Sequence, residues 1–191
     1  KWFVEEFIDQ EVGLVLKTNT KNNSRIDKGL TEAFLNGILA SYPDRKCSVS
    51  LLHGDLSEGQ MRALYEHDKI NAMINISHGE GFGLPMFEAA RCGLPIVTVG
   101  WSGQLDFLRH DDKDYFLNVD HSLRPIQEHA RWEGVLESDA MWAYADQGHF
   151  KMGLRMMYKK YQEFLDQAKQ LQSINNEKFS EEKLFKGFCD A

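Results

Sequence analysis

Residues 78–97 read HGEGFGLPMFEAARCGLPIV. Gly79, Gly81 and Gly83 alternate around Glu80 and Phe82, a spacing that lets a backbone turn tightly and leaves its amides unshielded by any Cβ. Pro85 falls where the first turn of a helix tolerates a missing amide hydrogen, so a helix is predicted to begin near Leu84. Cys92-Gly93 stops that helix, and the apolar run LPIVTVG (94–100) follows at once as a buried strand. Upstream, NAMINIS (71–77) has the same strand character. Strand, turn, short helix, strand is the connection that parallel sheets require.

Working outward, the same alternation continues. VGLVLKT (12–18), CSVSLLH (47–53) and DYFLNVD (114–120) are further strands. Asp27 is the predicted N-cap of a helix through LTEAFLNGILASY, with Leu30, Phe34, Leu35, Ile38 and Leu39 as its inward face, ended by Pro43-Asp44. Ser57 is expected to cap a helix carrying Met61, Leu64 and Tyr65. Trp101-Ser102-Gly103 turns into a short helix over Leu105, Phe107 and Leu108. Strands alternating with helices predict an α/β fold, a parallel sheet with helices on both faces, over residues 1–120. Residues 121–139 show no period and read as a surface connection. A helical segment is expected over 140–172, interrupted near Gly148 or Gly153, with Met152, Met156, Tyr158, Tyr161, Phe164 and Leu165 as its apolar contacts. Residues 173–191 read as a weakly ordered tail.

Composition bounds the partners. The 191 residues carry a formal charge of −7, so no global attraction draws nucleic acid or an anionic membrane, and a phosphate must be met by a local group of bases. Cys47, Cys92 and Cys189 lack metal-like spacing and form no disulfide framework, which suits a reducing compartment. No apolar run approaches the ~20 residues of a membrane span. The opening KWFVEEFIDQ, without Met or a signal-peptide pattern, reads as an excised piece.

In open parallel sheets ligands gather beyond the carboxyl ends of the strands. Those ends here are Lys17 and its loop, His53-Gly54, Ser77 through Gly83, and Gly100 through Gly103. The glycine pattern is neither GxGxxG nor a P-loop, so it does not select a dinucleotide or a nucleoside triphosphate, and a purely structural turn stays open beside a ligand site. Glu80 in the turn can accept hydrogen bonds from hydroxyls, and Glu88, one turn into the helix, can grip a vicinal diol; solvated surface carboxylates are the bland alternative for both. His53, His67 and His78 have no ligand spacing, so no metal site is expected. A departing diphosphate would need cations, for which Lys17, Lys21, Arg25 and Lys28 are the candidates.

Ser77, then EGFGLPMFEAARCGLPIV from Glu80, then Ser102-Gly103, together resemble the C-terminal, donor-binding domain of a retaining GT-B glycosyltransferase of the group 1, family 4 type. Glu80 and Glu88 stand at the two ends of that family's E-x7-E motif, and HGDLSEGQMRALYEHDKINAMINIS upstream is also similar to it. The likeness covers residues 12–120 and, more loosely, 140–168. It implies a Rossmann-like sheet, the C-terminal half of a GT-B fold. It further implies a nucleoside-diphosphate sugar as donor substrate, with no other cofactor, and transfer to an acceptor hydroxyl on a glycan, a lipid-linked molecule or a small molecule, with retention of configuration.

By this resemblance Glu88 would hold the ribose diol, while Glu80 and the amides around Gly81, Phe82, Gly83 and Leu84 would orient the sugar. Lys17 and Lys28 would carry the diphosphate, with Arg25 able to take the second role because a TNTKNNSRID insertion replaces the family's usual short turn. Ser77 and Gly54 would join the binding set, His53 through Leu56 would wall the base, and Ser102-Gly103 would complete the diphosphate side. The segment Trp142–Gln162 would cross to a missing N-terminal domain, without which the chain would be inactive or weak. The implied location is cytoplasmic, with a peripheral membrane association through that missing domain left open. Two other readings remain: a catalytically degenerate GT-B-like scaffold or partner protein, and a GT-B sugar-nucleotide epimerase.

Overall fold

The computed structural model describes residues 1–21, 23–137 and 139–190. Asn22 of the expected loop, Ser138 of the surface connection and Ala191 of the tail lie outside the described residues. The chain divides into two compact units, Lys1–Met61 and Arg62–Ala191.

The first unit opens with a short helix α1 (Trp2–Glu6), followed by strand β1 (Gly13–Lys17), helix α2 (Arg25–Leu39) and strand β2 (Ser48–Leu52). β1 and β2 pair in parallel, Gly13 opposite Ser48 and Lys17 opposite Leu52, so both strands end at the same edge. The cap of α2 differs from expectation: Ser24, not Asp27, accepts the backbone N–H of Asp27 and starts the helix. Its inward face differs too. Ile26, Leu30 and Phe34 are 77%, 62% and 74% exposed, whereas Leu39 is buried together with Asp27. Two apolar stripes one residue apart lie about 100° apart on a helix, and periodicity cannot choose between them. The buried bond from Asp27 to His53 selects the stripe of Asp27, Leu35, Ile38 and Leu39.

Helix α3 (Glu58–Tyr65) ends in the second unit, which continues with strand β3 (Met73–Asn75), helix α4 (Leu84–Arg91), strand β4 (Ile96–Val99) and helix α5 (Leu105–Leu108). After the two-residue strands β5 (Arg109–His110) and β6 (Lys113–Asp114) comes β7 (Leu117–Val119). β3, β4 and β7 form a parallel sheet in that order, with Asn75 opposite Thr98 and Val99 opposite Val119. The five expected parallel strands thus form a pair and a triplet, one set in each unit. All four residues of β4 are buried, as expected of a central strand covered on both faces, and its β-branched side chains suit the pleat.

The region after residue 120 departs most from the sequence reading. His121–Pro125 is a strand, β8, and it pairs antiparallel with β9 (Met141–Ala145), where a helix was expected to begin. MWAYA carries residues of mixed propensity, and its strand state comes from a partner some twenty residues away, which no local pattern reports. Helices α6 (Gln147–Lys159) and α7 (Tyr161–Lys178) follow, and the break falls at Lys160 rather than at Gly148 or Gly153. Gly153 has another job: a Cβ there would lie 2.5 Å from a Leu117 methyl, so its absence lets α6 approach β7. Met152, Met156 and Tyr158 are exposed, and the contacts of α6 come instead from Phe150, Leu154 and Met157.

Polar side chains fasten α7 to the core. Buried Asn175 donates to the Phe107 carbonyl at 3.1 Å, and Gln172 and Gln167 donate to the carbonyls of Arg91 and Asp114. The tail is helical as well: Ser180 caps α8 (Glu181–Cys189), whose Leu184, Phe185 and Phe188 are exposed. Among the described residues no helix is long and apolar enough to cross a membrane.

Candidate functional site

The second unit builds its site at the carboxyl end of β3. Asn75, the last strand residue, accepts the N–H of Ser77 at 2.8 Å through its side chain, an Asx turn that bends the chain out of the sheet. The same side chain donates to Glu80 Oε1 at 3.1 Å, and the Ser77 hydroxyl donates to that oxygen at 2.9 Å. Glu80 is therefore a half-buried carboxylate held by two donors. Hydrogen bonds to a charged acceptor are worth about 1.5–3 kcal/mol, enough to fix the side chain's orientation.

A second loop, leaving β4, is joined to the first. Ser102 adopts φ 80°, a conformation that costs a residue with a Cβ roughly 1–2 kcal/mol. There its hydroxyl accepts the Glu80 N–H at 3.2 Å and donates to the Glu80 carbonyl at 2.7 Å, while Gly103 N–H reaches the same carbonyl at 3.0 Å. A Cβ on Gly103 would lie 1.9 Å from the Gly81 carbonyl oxygen, so only glycine permits this approach. Gly83, at φ 85°, leads into α4, and its carbonyl accepts the N–H groups of Met86 and Phe87. The two joined loops bring Ser77, Glu80, Gly81, Ser102 and Gly103 together.

The side chain of Phe82, for which the sequence reading expected only a backbone amide, has a packing role. Its ring packs against Phe107 and Phe87 at 5.0 and 5.1 Å and meets Phe179 at 6.3 Å, anchoring the glycine turn from below. Leu84 is exposed on the first turn of α4. Glu88 is half-buried further along α4 and faces Tyr65 of α3. Burial first, and then the nearby Glu88 charge, push the Tyr65 hydroxyl up to about 12. The two carboxylates thus stand in unlike settings, Glu80 among neutral donors at a loop and Glu88 beside a phenol.

His78 fastens the Glu80 loop to the β8–β9 ribbon. Its ring Nδ1 bonds the Ala143 carbonyl at 2.7 Å, its own carbonyl accepts the Ala143 N–H, and its ring stacks on Trp142 at 4.8 Å. A structural role for His78 accounts for its lack of metal-like spacing, and among the described residues no three His, Cys, Asp or Glu side chains are placed to hold a metal. Two shallow depressions of this unit, about 480 Å³ lined by Leu105, Asp106, Arg109, Lys178 and Phe179 and about 350 Å³ beside Lys113 and Gln170, do not include Glu80 or Ser102 in their lining.

Lys17, Gly54, Arg25 and Lys28 belong to the first unit. Lys17 Nζ donates to the Gly54 carbonyl at 2.5 Å, joining the ends of β1 and β2. Lys28 pairs with Glu32 at 3.5 Å across one turn of α2, both exposed, and Arg25 is the first residue of that helix. Two cations in the first turn sit where the helix dipole favours anions, an arrangement that a bound anion would relieve.

Asp27 was read as a cap, and its structural role was missed. Its carboxylate accepts the N–H groups of Thr20 and Lys21 and bonds His53 Nε2 at 2.9 Å, which orders the loop leading from Lys17. Asn75 was missed as well. The signal available was its place two residues before Ser77, the reach of an Asx turn, and five before Glu80.

Residues 28–129, just over half of the chain, match the profile of the family described as glycosyl transferase-like. The chain belongs to this glycosyl transferase-like family. No curated protein matches it. A solved structure described as that of a GtfA/B complex is similar at 15% identity and a TM-score of 0.43. The match covers 86% of this chain and 33% of that one, so this chain spans about a third of the length of its solved relative. The matched segment of the glycosyl transferase-like profile runs from the start of α2 through β8 and includes both Glu80 and Glu88.

Proposed function

We propose that this chain is the donor-binding part of a glycosyltransferase that takes a nucleoside-diphosphate sugar and transfers the sugar to an acceptor hydroxyl with retention of configuration. One observation carries the reading: Glu80, held by Asn75 and Ser77 at the carboxyl edge of a parallel sheet, with Glu88 eight residues on in the helix that follows. In this reading Glu80 accepts hydroxyls of the sugar, and the amides around Gly81, Phe82, Gly83 and Leu84 orient the same ligand. Glu88 takes the ribose diol. Lys17, Arg25 and Lys28 balance the diphosphate as negative charge grows on the leaving oxygen. Gly54 lies beside Lys17, and Ser102 and Gly103 keep the sugar loop in place.

Retention would follow from attack by the acceptor on the face the nucleotide leaves, with a diphosphate oxygen taking the proton, so no nucleophile and base pair is needed. A second Rossmann-like domain, the other half of a GT-B fold, would supply acceptor contacts, and the donor-binding part alone would transfer little.

Calorimetric titration with uridine, guanosine and adenosine diphosphates and their hexose conjugates tests the proposal. Selective, saturable binding is expected with one base. Glu88→Ala should weaken it about tenfold or more, since each hydrogen bond to a charged group carries about 1.5–3 kcal/mol. A folded sample that binds none of these ligands would overturn the reading. Binding without transfer, after the partner domain is supplied, would favour the scaffold alternative.

A further inference from the structure

The large aromatic side chains around the Glu80 loops are nearly all occupied with one another. Phe82, Phe87, Phe107 and Phe179 pack as a cluster, and Trp142 lies flat on the His78 ring with 9° between their planes. Trp101 is the exception. It stands two residues past the end of β4, its backbone N–H bonded to the Val99 carbonyl at 2.9 Å, with 37% of its surface exposed. Its ring meets His121 obliquely at 5.9 Å.

Among the described residues its indole N–H donates to no partner. A Cβ on Gly79 would lie 3.7 Å from that nitrogen, in ordinary van der Waals contact, so this glycine borders the donor edge. The next residue in the chain is Ser102, whose hydroxyl grips both the N–H and the carbonyl of Glu80. The half-exposed indole is therefore joined through Ser102 to the backbone of Glu80, whose carboxylate Asn75 and Ser77 hold.

Most of the indole surface is apolar, so a ligand that covers it gains from the burial. A pyranose ring suits this arrangement. One of its faces presents C–H bonds of slight positive character to the negative π face, while its rim hydroxyls need one donor and one acceptor, here the indole N–H and Glu80. A nucleobase would also stack, yet Trp101 is coupled to Glu80 and not to Glu88, which favours the sugar.

We propose that Trp101 is the stacking platform for the transferred hexopyranose, with Gly79 beside its N–H edge; this rests on the donor-binding reading above. The test compares the 191-residue chain's affinity for a bare nucleoside diphosphate with that for the matching nucleotide hexose, by calorimetry. Trp101→Ala should lower affinity for the hexose conjugate about tenfold, within the ~1–3 kcal/mol that an aromatic stacking contact carries by analogy with base stacking, and leave that for the bare diphosphate unchanged. Trp101→Phe should retain most of the sugar's contribution. Gly79→Ala, which leaves the indole in place, should remove part of it.

An equal loss for both ligands in Trp101→Ala would put the indole under the base and overturn the platform, as would no loss for either. If Trp101→Ala fails to fold, Gly79→Ala decides, and an unchanged hexose increment there overturns the proposal. Absence of any diphosphate binding by the unaltered chain would instead overturn the donor-binding reading on which the platform stands.

Discussion

At the scale of single residues, the site is made of groups whose neighbours define what they can do. Tyr65 shows this for acid–base behaviour. Its hydroxyl titrates near 12 in the folded chain against about 10 in an unfolded one, because burial and the Glu88 charge both disfavour the phenolate. A raised folded value means that its contribution to stability is complete below pH 10 and is lost as pH climbs through 12. Ultraviolet titration should therefore find a tyrosine that ionises late, absent in Tyr65→Phe, and denaturant midpoints of the wild type should decline more steeply across that window than those of the variant. Midpoints that decline equally would show that burial and the Glu88 charge do not hold the Tyr65 hydroxyl above its ordinary value.

The Glu80 turn was legible at this scale because three glycines in five residues free the backbone to turn tightly, a signal that is local. Asp27 was not. Nothing in its local sequence announces that its carboxylate is consumed by Thr20, Lys21 and the distant His53.

At the scale of elements, the β5–β6 hairpin offers a direct test of turn chemistry. Its two loop residues, Asp111 and Asp112, have φ of 49° and 58°, the signature of a type I′ turn, in which glycine is preferred at the second position. Asp112→Gly should raise stability by about 0.5–1 kcal/mol in chemical denaturation, the steric gain offset in part by the extra freedom of glycine in the unfolded chain. A loss would mean that the Asp112 carboxylate, close enough to act on Arg109, contributes more than its strained backbone costs.

Elements also mark where sequence reasoning stops. α4 and β4 were readable because capping glycine, proline and a continuous β-branched run are local signals. β9 was not, because MWAYA becomes a strand only by pairing with His121–Pro125. The face of α2 was misjudged because two apolar stripes competed and a buried polar bond, invisible to hydropathy, chose between them.

At the scale of the whole molecule, stability should be graded. β4 is hydrogen-bonded on both sides and wholly buried, whereas β1 and β2 have one paired edge each in a two-stranded sheet. Free energies of opening follow the density of buried apolar contact and paired backbone. Native-state hydrogen exchange should accordingly find the amides of Val97–Val99 most protected and those of Leu14–Leu16 appreciably less so. Equal protection in the two sheets would contradict this gradient. The family was legible from a single twenty-residue stretch, while the division of the strands into two units was not, since strand propensity carries no information about which sheet a strand joins.

The double grip of Ser102 on Glu80 bears on any attempt to redesign these loops. One hydroxyl both receives and gives a proton across the two loops, and Gly103 leaves no clearance above Gly81. Segments 77–83 and 100–104 therefore form one unit of inheritance. A library that diversifies either segment alone would chiefly sample misfits, and recombination between relatives should preserve function only when both segments travel together.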